Sequence, residues 1–225
     1  MESVAQLLPY IIGLPLVGFL FQAFLGKYIV TQFGPKLGRA ITGGVATAFV
    51  AAAFLIAVSI VMTMAGADPD SRLAITTVFD WIKLQSISIP FELRADTLSM
   101  TMTLIITGIG ALIHLYAIGY MGEEKDFPRF FTYLNLFIAF MLVLVLGNNL
   151  ALLFIGWEGV GLCSYLLIGF WYKDLANAKA ANKAFITNRI GDVGLTIGMF
   201  LIVALLAANR DKLHLGEDAR WLSYD

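Results

Sequence analysis

A single carboxylate, Glu158, stands near the middle of the apolar run Leu152 to Tyr172, LLFIGWEGVGLCSYLLIGFWY. Further along, in KAFITNRIGDVGL, Arg189 and Asp192 are spaced i,i+3 and so share a helical face. His114 lies inside another apolar run, and Lys183 stands at the head of the run that carries Arg189 and Asp192. A charge at mid-bilayer costs at least ~2.5 to 3.5 kcal/mol on insertion scales, so such groups are protonated, paired or beside internal water. The chemistry open to them is proton transfer. Glu158 can carry a proton, His114 can do so at physiological pH, and the Arg189–Asp192 pair suits a point of proton uptake. Each also has a plainer use. Glu158 can be a protonated hydrogen bond between helices, Arg189 and Asp192 can neutralise each other's burial, His114 can bridge two helices, and Lys183 can snorkel to the interface.

Other chemistries are excluded quickly. The one cysteine, Cys163, sits in an apolar run, so no iron–sulfur cluster or disulfide forms within the chain, and a buried Cys behaves as a small hydrophobe. His114 and His214 are too few and too far apart for a haem pair or zinc site. The glycines of WEGVGLCS follow no strand and precede no GK[ST], so they are not a phosphate loop. They are small residues that let another helix approach. With a formal charge of -1 there is no general basic surface, which argues against nucleic acid as a partner.

The elements that must position these groups are membrane helices. Hydrophobic residues make up 59% of the 225 and charged ones 14%, where globular chains are about half apolar and about a quarter charged. A helix needs about 20 apolar residues to span the hydrocarbon. Runs of that kind are Leu7 to Gly26, Ala40 to Met64, Leu98 to Met121, Phe130 to Leu146, Leu150 to Tyr172 and Ala184 to Ala208. The first is preceded by no Lys or Arg and followed by no small-residue cleavage site, so it reads as a retained helix rather than a signal peptide. Glu158 then lies about 12 Å along its helix from Leu150, too deep to snorkel, and His114 about 9 Å inside its own. Asn148 and Asn149 leave only a tight turn, which makes the fourth and fifth helices antiparallel neighbours. The loops after helices 1, 3 and 5 carry Lys27, Lys36, Arg39, Lys125, Arg129, Lys173, Lys179 and Lys183 and are placed on the cytoplasmic side, with both termini outside.

Between Gly66 and Thr97 the helical reading fails. In ISIPFELR, from Ile87, apolar and polar residues alternate as in a half-buried strand. Val78 to Leu84 is its expected hairpin partner, and Pro90 confines its strand to an edge or to one-sided pairing. The hairpin either docks a neighbouring subunit or caps its own helices. The expected fold class is therefore an all-α polytopic membrane protein of about six transmembrane helices, with an extra-membrane β-hairpin between helices 2 and 3. Residues 1–97 hold helices 1 and 2 and the hairpin. Residues 98–225 hold helices 3 to 6 and a polar tail.

The runs FELRADTLSMTMTLIITGIGALIHLYAIGYM, FFTYLNLFIAFMLVLVLGNNLALLFIGWEGVGLCSYLLIGFW and KAFITNRIGDVGL closely resemble the N-terminal part of the large antiporter-like subunit of respiratory complex I. That subunit is called subunit L in bacteria and subunit 5 in mitochondria. The same family includes the large subunit of Mrp-type antiporters and the membrane subunit of inorganic-carbon-accumulating complexes. The resemblance implies that Glu158 pairs with a lysine on a seventh helix and tunes its proton affinity. It implies that Arg189 and Asp192 lie near a cytoplasmic uptake path, with His114 among the polar groups of that half-channel. The implied function is proton translocation in the membrane arm of an NADH:quinone oxidoreductase. NADH, FMN, iron–sulfur clusters and quinone would be held by partner subunits and no cofactor by this chain. The alternatives are a structural or docking subunit of the arm, or a subunit of an antiporter or carbon-uptake complex. The implied location is the bacterial cytoplasmic membrane, rather than the mitochondrial inner membrane, with the N-terminus periplasmic. Family members have some fourteen or more helices, so the seventh-helix lysine is expected either from a longer gene product, which the loop-like tail from Asn209 slightly favours, or from a second polypeptide.

Overall fold

A computed structural model describes residues 2–68, 71–84, 87–209 and 222–224. Most of the expected tail, with His214, lies outside the described residues. The first two expected spans form one run of helix: α1 (Glu2–Phe21), a π-helical turn (Gln22–Gly26) and α2 (Lys27–Ala65), broken only at Gly34. Gly34 has φ 77° and ψ 167°, a backbone region essentially closed to side chains. Pro35 then starts the returning leg with a ring already fixed at a helical φ. A Cβ on Gly38 would meet Val30 Cα at 2.5 Å, Gln22 Nε2 donates to the Thr42 carbonyl at 2.6 Å, and Gly18 lies against Phe49. All three pairings fold the chain back about the Gly34 region, whereas a straight rod of the 63 residues Ser3–Ala65 would be about 95 Å long. The chain therefore crosses twice here, and the loop expected over 27–39 is helical. Hydropathy marks only the part of a helix that lies in hydrocarbon, and only Gly34 and Pro35 interrupt this stretch.

Four further helices follow the hairpin: α3 (Thr97–Tyr120), α4 (Phe127–Leu146), α5 (Leu150–Ile168) and α6 (Leu175–Ala208). With the folded first pair, they make the six expected crossings of a multi-pass membrane protein. The main core is formed where α1, α2, α3 and α4 meet, from residues such as Leu8, Ile11, Val50, Ile60, Met100 and Leu142. Buried amides contribute too. Asn135 Nδ2 donates to the Phe131 carbonyl at 3.0 Å, and its Oδ1 lies over the Cα of Gly18, in the place of a weak Cα–H···O contact.

Helix ends are set by local chemistry. Asp96 and Ser99 form a reciprocal capping box at the start of α3, with both hydrogen bonds at 2.8 Å. Burial pushes the Asp96 carboxyl up, but the Ser99 hydrogen bonds and the Arg94 charge outweigh it and hold the group below the usual carboxylate range. Its contribution to stability is therefore present above the unfolded carboxylate pKa and fades as pH falls through the folded value. Asn149 caps α5 through Leu152 N at 2.9 Å, and Asp174 caps α6 through Ala176 N at 2.9 Å. α5 ends at Ile168, short of the expected Tyr172, and α6 begins at Leu175, nine residues before the expected Ala184. The cause is the same as in the first loop, because LANAKAANK is a good helix-forming segment that hydropathy passes over.

The tight turn at Asn148 and Asn149 does make α4 and α5 antiparallel neighbours. Gly156 lies against the Leu144 backbone and Gly159 under the Phe140 ring, as expected of small residues at a helix contact, while Gly161 faces open space. A Gly159→Ala substitution puts its methyl into that ring. Overpacking of this kind costs about 1–3 kcal/mol, and it should lower the melting temperature of the detergent-purified protein, whereas Gly161→Ala should leave it unchanged.

The three basic loops meet at one end of the bundle. Arg39 donates to the Gly122 carbonyl, Trp171 Nε1 to Glu124 at 2.9 Å, and Arg129 to the Phe170 carbonyl at 3.1 Å. The Trp171 hydrogen bond is the first cause holding the Glu124 carboxyl below its ordinary range. At the opposite end lies the hairpin, β1 (Ala74–Leu84) against β2 (Ile87–Ala95), antiparallel with Asp80 facing Pro90 and register shifts near Val78 and Trp81. Both strands extend beyond the expected Val78 to Arg94. β2 is tied to the α4–α5 turn. Glu92, 3% exposed, accepts from Thr77 and Asn148 at 2.9 Å each, and Asn149 donates to the Pro90 carbonyl at 3.0 Å. The hairpin thus caps its own helices through β2, while Val78, Phe79 and Trp81 on β1 stay exposed.

Candidate functional site

α5 and α6 pack side by side, and the charged residues singled out in each meet between them. Arg189 forms an ion pair with Glu158 across the two helices. The same guanidinium stands 3.9 Å from the Asp192 carboxylate, one turn along α6. Trp157, next to Glu158, reaches across to donate its indole N–H to Asp192 Oδ1 at 2.7 Å. The Asp192 side chain is 8% exposed, that of Glu158 20% and that of Arg189 44%. Arg189 also stacks on the Phe185 ring, 4.8 Å from its centroid. The second oxygen of Glu158, Oε1, is buried and has no hydrogen-bond partner among the described residues.

Two carboxylates therefore share one guanidinium. The cluster is electrically neutral only with one proton bound or with a second cation beside it. Spacing joined Arg189 to Asp192, and the family resemblance implied a lysine on a seventh helix for Glu158; the structure gives Glu158 a cation within this chain. Because α6 begins at Leu175 and not at the expected Ala184, Arg189 is about four turns from the start of that helix.

The other expected site residues are not in this cluster. His114 is 1% exposed on α3, with Nδ1 2.8 Å from its own-helix Gly110 carbonyl and its ring edge-on to Phe131 at 6.0 Å. A carbonyl only accepts, so Nδ1 carries the proton, and the buried Nε2 has no partner among the described residues. α4 stands between His114 and the α5–α6 contact. Lys183 is exposed on α6, well inside the helix, and has no ion pair among the described residues. Cys163 is buried, as expected. Sequence reasoning missed Trp157 and Phe185. The signal for Trp157 was available, since an indole N–H in an apolar helix needs an acceptor. Phe185 had no such mark among so many apolar neighbours.

Two family models match this chain. Residues 81–131 match the N-terminal region of NADH-ubiquinone oxidoreductase (complex I) chain 5, and residues 147–214 match the membrane domain of NADH:quinone oxidoreductase/Mrp antiporter subunits. NADH-quinone oxidoreductase subunit L of Mycobacterium tuberculosis H37Rv is 46% identical over 191 residues, covering 85% of this chain and 29% of that one. The chain belongs to the family of complex I antiporter-like subunits. Subunit L of Escherichia coli K12 is 53% identical over 125 residues, 56% of this chain and 20% of the relative. The chain thus spans less than a third of these curated relatives. Among solved structures, an archaeal membrane-bound sulfane sulfur reductase has a TM-score of 0.70 at 17% identity, covering 88% of this chain and 37% of that chain. The Mrp complex of Dietzia sp. has a TM-score of 0.64 at 23% identity, covering 86% and 19%. At these identities the likeness is one of fold.

Proposed function

We propose that this chain is the N-terminal part of a proton-translocating subunit in the membrane arm of an NADH:quinone oxidoreductase. The observation that carries this reading is the α5–α6 cluster, in which Glu158 and Asp192 share Arg189 and one Glu158 oxygen is left without a partner. Such a cluster has two low-energy occupancies. With Arg189 close, Glu158 is held as a carboxylate. When the guanidinium turns toward Asp192, Glu158 loses its countercharge in a low-dielectric site and takes up a proton, since an isolated buried charge is the costlier state. A lysine supplied by another segment, approaching the unengaged oxygen, would be the second cation that drives the proton off again. Trp157 holds Asp192 in place for this exchange and moves no proton itself.

In this reading the chain takes no part in electron transfer. NADH, FMN, iron–sulfur clusters and quinone are bound by partner subunits, and the three basic loops face the cytoplasm of a bacterium, with the N-terminus periplasmic. Lys183 serves the cytoplasmic approach by its charge, and His114 acts behind α4 as a separate proton-binding group.

The reading is tested by deleting the coding segment from the chromosome. NADH-driven proton uptake by inverted membrane vesicles should be lost while succinate-driven uptake persists. Sodium-dependent proton movement that needs no NADH and vanishes in the same deletion would assign the chain to an antiporter instead.

A further inference from the structure

The fold-back at Gly34 stands proud of the helices beside it. Gly26 lies against Pro128, and Gly43 against Ile118 and Phe127, so the end of α3 and the start of α4 are level with Gly26 and Gly43. From that level the first leg runs on for about 12 Å to Gly34, at 1.5 Å per residue, before the second leg returns. The two legs press together where Gly38 meets the Val30 backbone. Arg39 ties the base of this projection to the α3–α4 loop by donating to the Gly122 carbonyl.

The projection is charged with one sign. Residues 3–67 hold Lys27, Lys36 and Arg39 and no Asp or Glu. Of the acids in the adjoining loop, Glu124 accepts from Trp171 and Asp126 pairs with Arg129. Lys27 and Lys36 are exposed and form no ion pair among the described residues. The same surface is apolar. Phe24, Tyr28, Phe33 and Leu37 are each more than half exposed, and Phe24, Lys27 and Tyr28 fall within about one turn of each other on the first leg. A face that mixes bare rings with unpaired ammonium groups suits neither bulk water nor hydrocarbon. It suits the layer between them. The headgroup region of one leaflet is about 5–8 Å thick, and Lys27 and Lys36 lie about 10 Å and 3 Å from Gly34 along their legs, a difference in depth of about 7 Å. Side chains on the first leg lean back toward its N-terminus, and therefore toward the hydrocarbon. The Phe24 and Tyr28 rings are thus directed at acyl chains, while the flexible Lys27 stem brings its charge up to the phosphates.

We propose that the α1–α2 fold-back is a binding site for an anionic phospholipid, with Lys27 and Lys36 on its headgroup and the exposed rings against the first carbons of its chains. Charge complementarity decides the occupant. A zwitterionic headgroup brings its own cation, which two unpaired lysines repel, whereas an anionic one supplies the countercharge that this part of the chain lacks. The inference needs only the membrane-spanning fold and stands apart from the proton-translocation reading.

The test uses the assembled complex in phosphatidylcholine vesicles doped with one of two photoreactive lipids at the same low mole fraction. Both carry a diazirine near the glycerol end of an identical acyl chain, one on phosphatidylglycerol and the other on phosphatidylcholine. Labelling is read by mass spectrometry on the peptide spanning Phe24 to Leu37. A lysine beside an anionic headgroup layer is worth about fivefold, so the phosphatidylglycerol probe should label this segment at least about fivefold more than the phosphatidylcholine probe. The double variant Lys27→Gln with Lys36→Gln should bring the ratio close to one and leave the melting temperature unchanged, since both side chains are exposed, and Lys27→Arg with Lys36→Arg should keep the preference. Equal labelling of the unaltered segment by the two probes would overturn the site. So would a preference that survives the double Gln variant, because the other basic loops would then be its source. Labelling by neither probe would mean that protein covers the fold-back, and would overturn it as well.

Discussion

Replacing Glu158 by Gln is expected to reduce proton pumping by the assembled complex at least tenfold, the low end of what a positioned proton-transfer group contributes being about a hundredfold. Gln is close to isosteric and keeps a hydrogen-bonding end, so α5 and α6 should still pack, but it neither binds a proton nor holds a charge against Arg189. In a coupled machine NADH oxidation should slow as well. Glu158→Asp should retain part of the activity, because the carboxylate survives with a shorter reach. The measurement is proton uptake by inverted vesicles at matched NADH oxidation rates, with complex content checked by co-purification. Unaltered pumping in a normally assembled Glu158→Gln complex would remove the central residue of the proposed mechanism. If in addition hairpin variants such as Glu92→Leu, which removes the carboxylate that Thr77 and the Asn148 side chain donate to, abolish assembly, the chain is better described as a structural member of the membrane arm.

How much of this was legible in the sequence depends on which interaction sets each feature. The span Leu98 to Met121 differs from α3 by one residue at each end, because apolar burial and the Asp96–Ser99 cap coincide there. The Asn148–Asn149 turn and the strand from Ile87 were equally visible, since both are local signals of polarity and period. The fold-back at Gly34 was written in Gly-Pro, yet hydropathy placed a whole loop around it, as it records lipid contact and not backbone continuity. The early start of α6 escaped for the same reason. The meeting of Glu158 with Arg189 is of another kind. It joins residues on two helices whose relative rotation is fixed by Gly156 and Gly159 packing on α4 and by Trp157 reaching Asp192, and no spacing within one helix encodes that. His114 shows the converse. It was grouped with the charged residues by its type, its depth in the helix and the family resemblance, and α4 stands between it and the cluster.

The second large effect concerns Arg189. Removing one member of a buried ion pair costs about 3–5 kcal/mol because the remaining charge is left without compensation. Here two carboxylates, Glu158 and Asp192, would be left. Arg189→Ala should fall near the low end, about 3 kcal/mol, since the arginine side chain is 44% exposed. The expected result is a complex that assembles poorly or loses this subunit on detergent extraction, with little proton pumping in what remains. Arg189→Lys keeps the charge but offers neither the planar surface that lies on Phe185 nor a fork that spans both carboxylates. It should restore assembly while leaving pumping impaired. The decisive comparison is the double variant Arg189→Ala with Glu158→Gln. If the loss in the single variant comes from an uncompensated Glu158 charge, the second substitution should recover subunit retention, measured as thermal stability of the purified complex, without recovering proton uptake. A double variant as unstable as Arg189→Ala alone would mean that Arg189 acts through packing on Phe185 or through Asp192, and that its pairing with Glu158 carries little of the energy. Separating retention from pumping in this way distinguishes a charge that only neutralises its neighbours from one that releases a proton site when it moves.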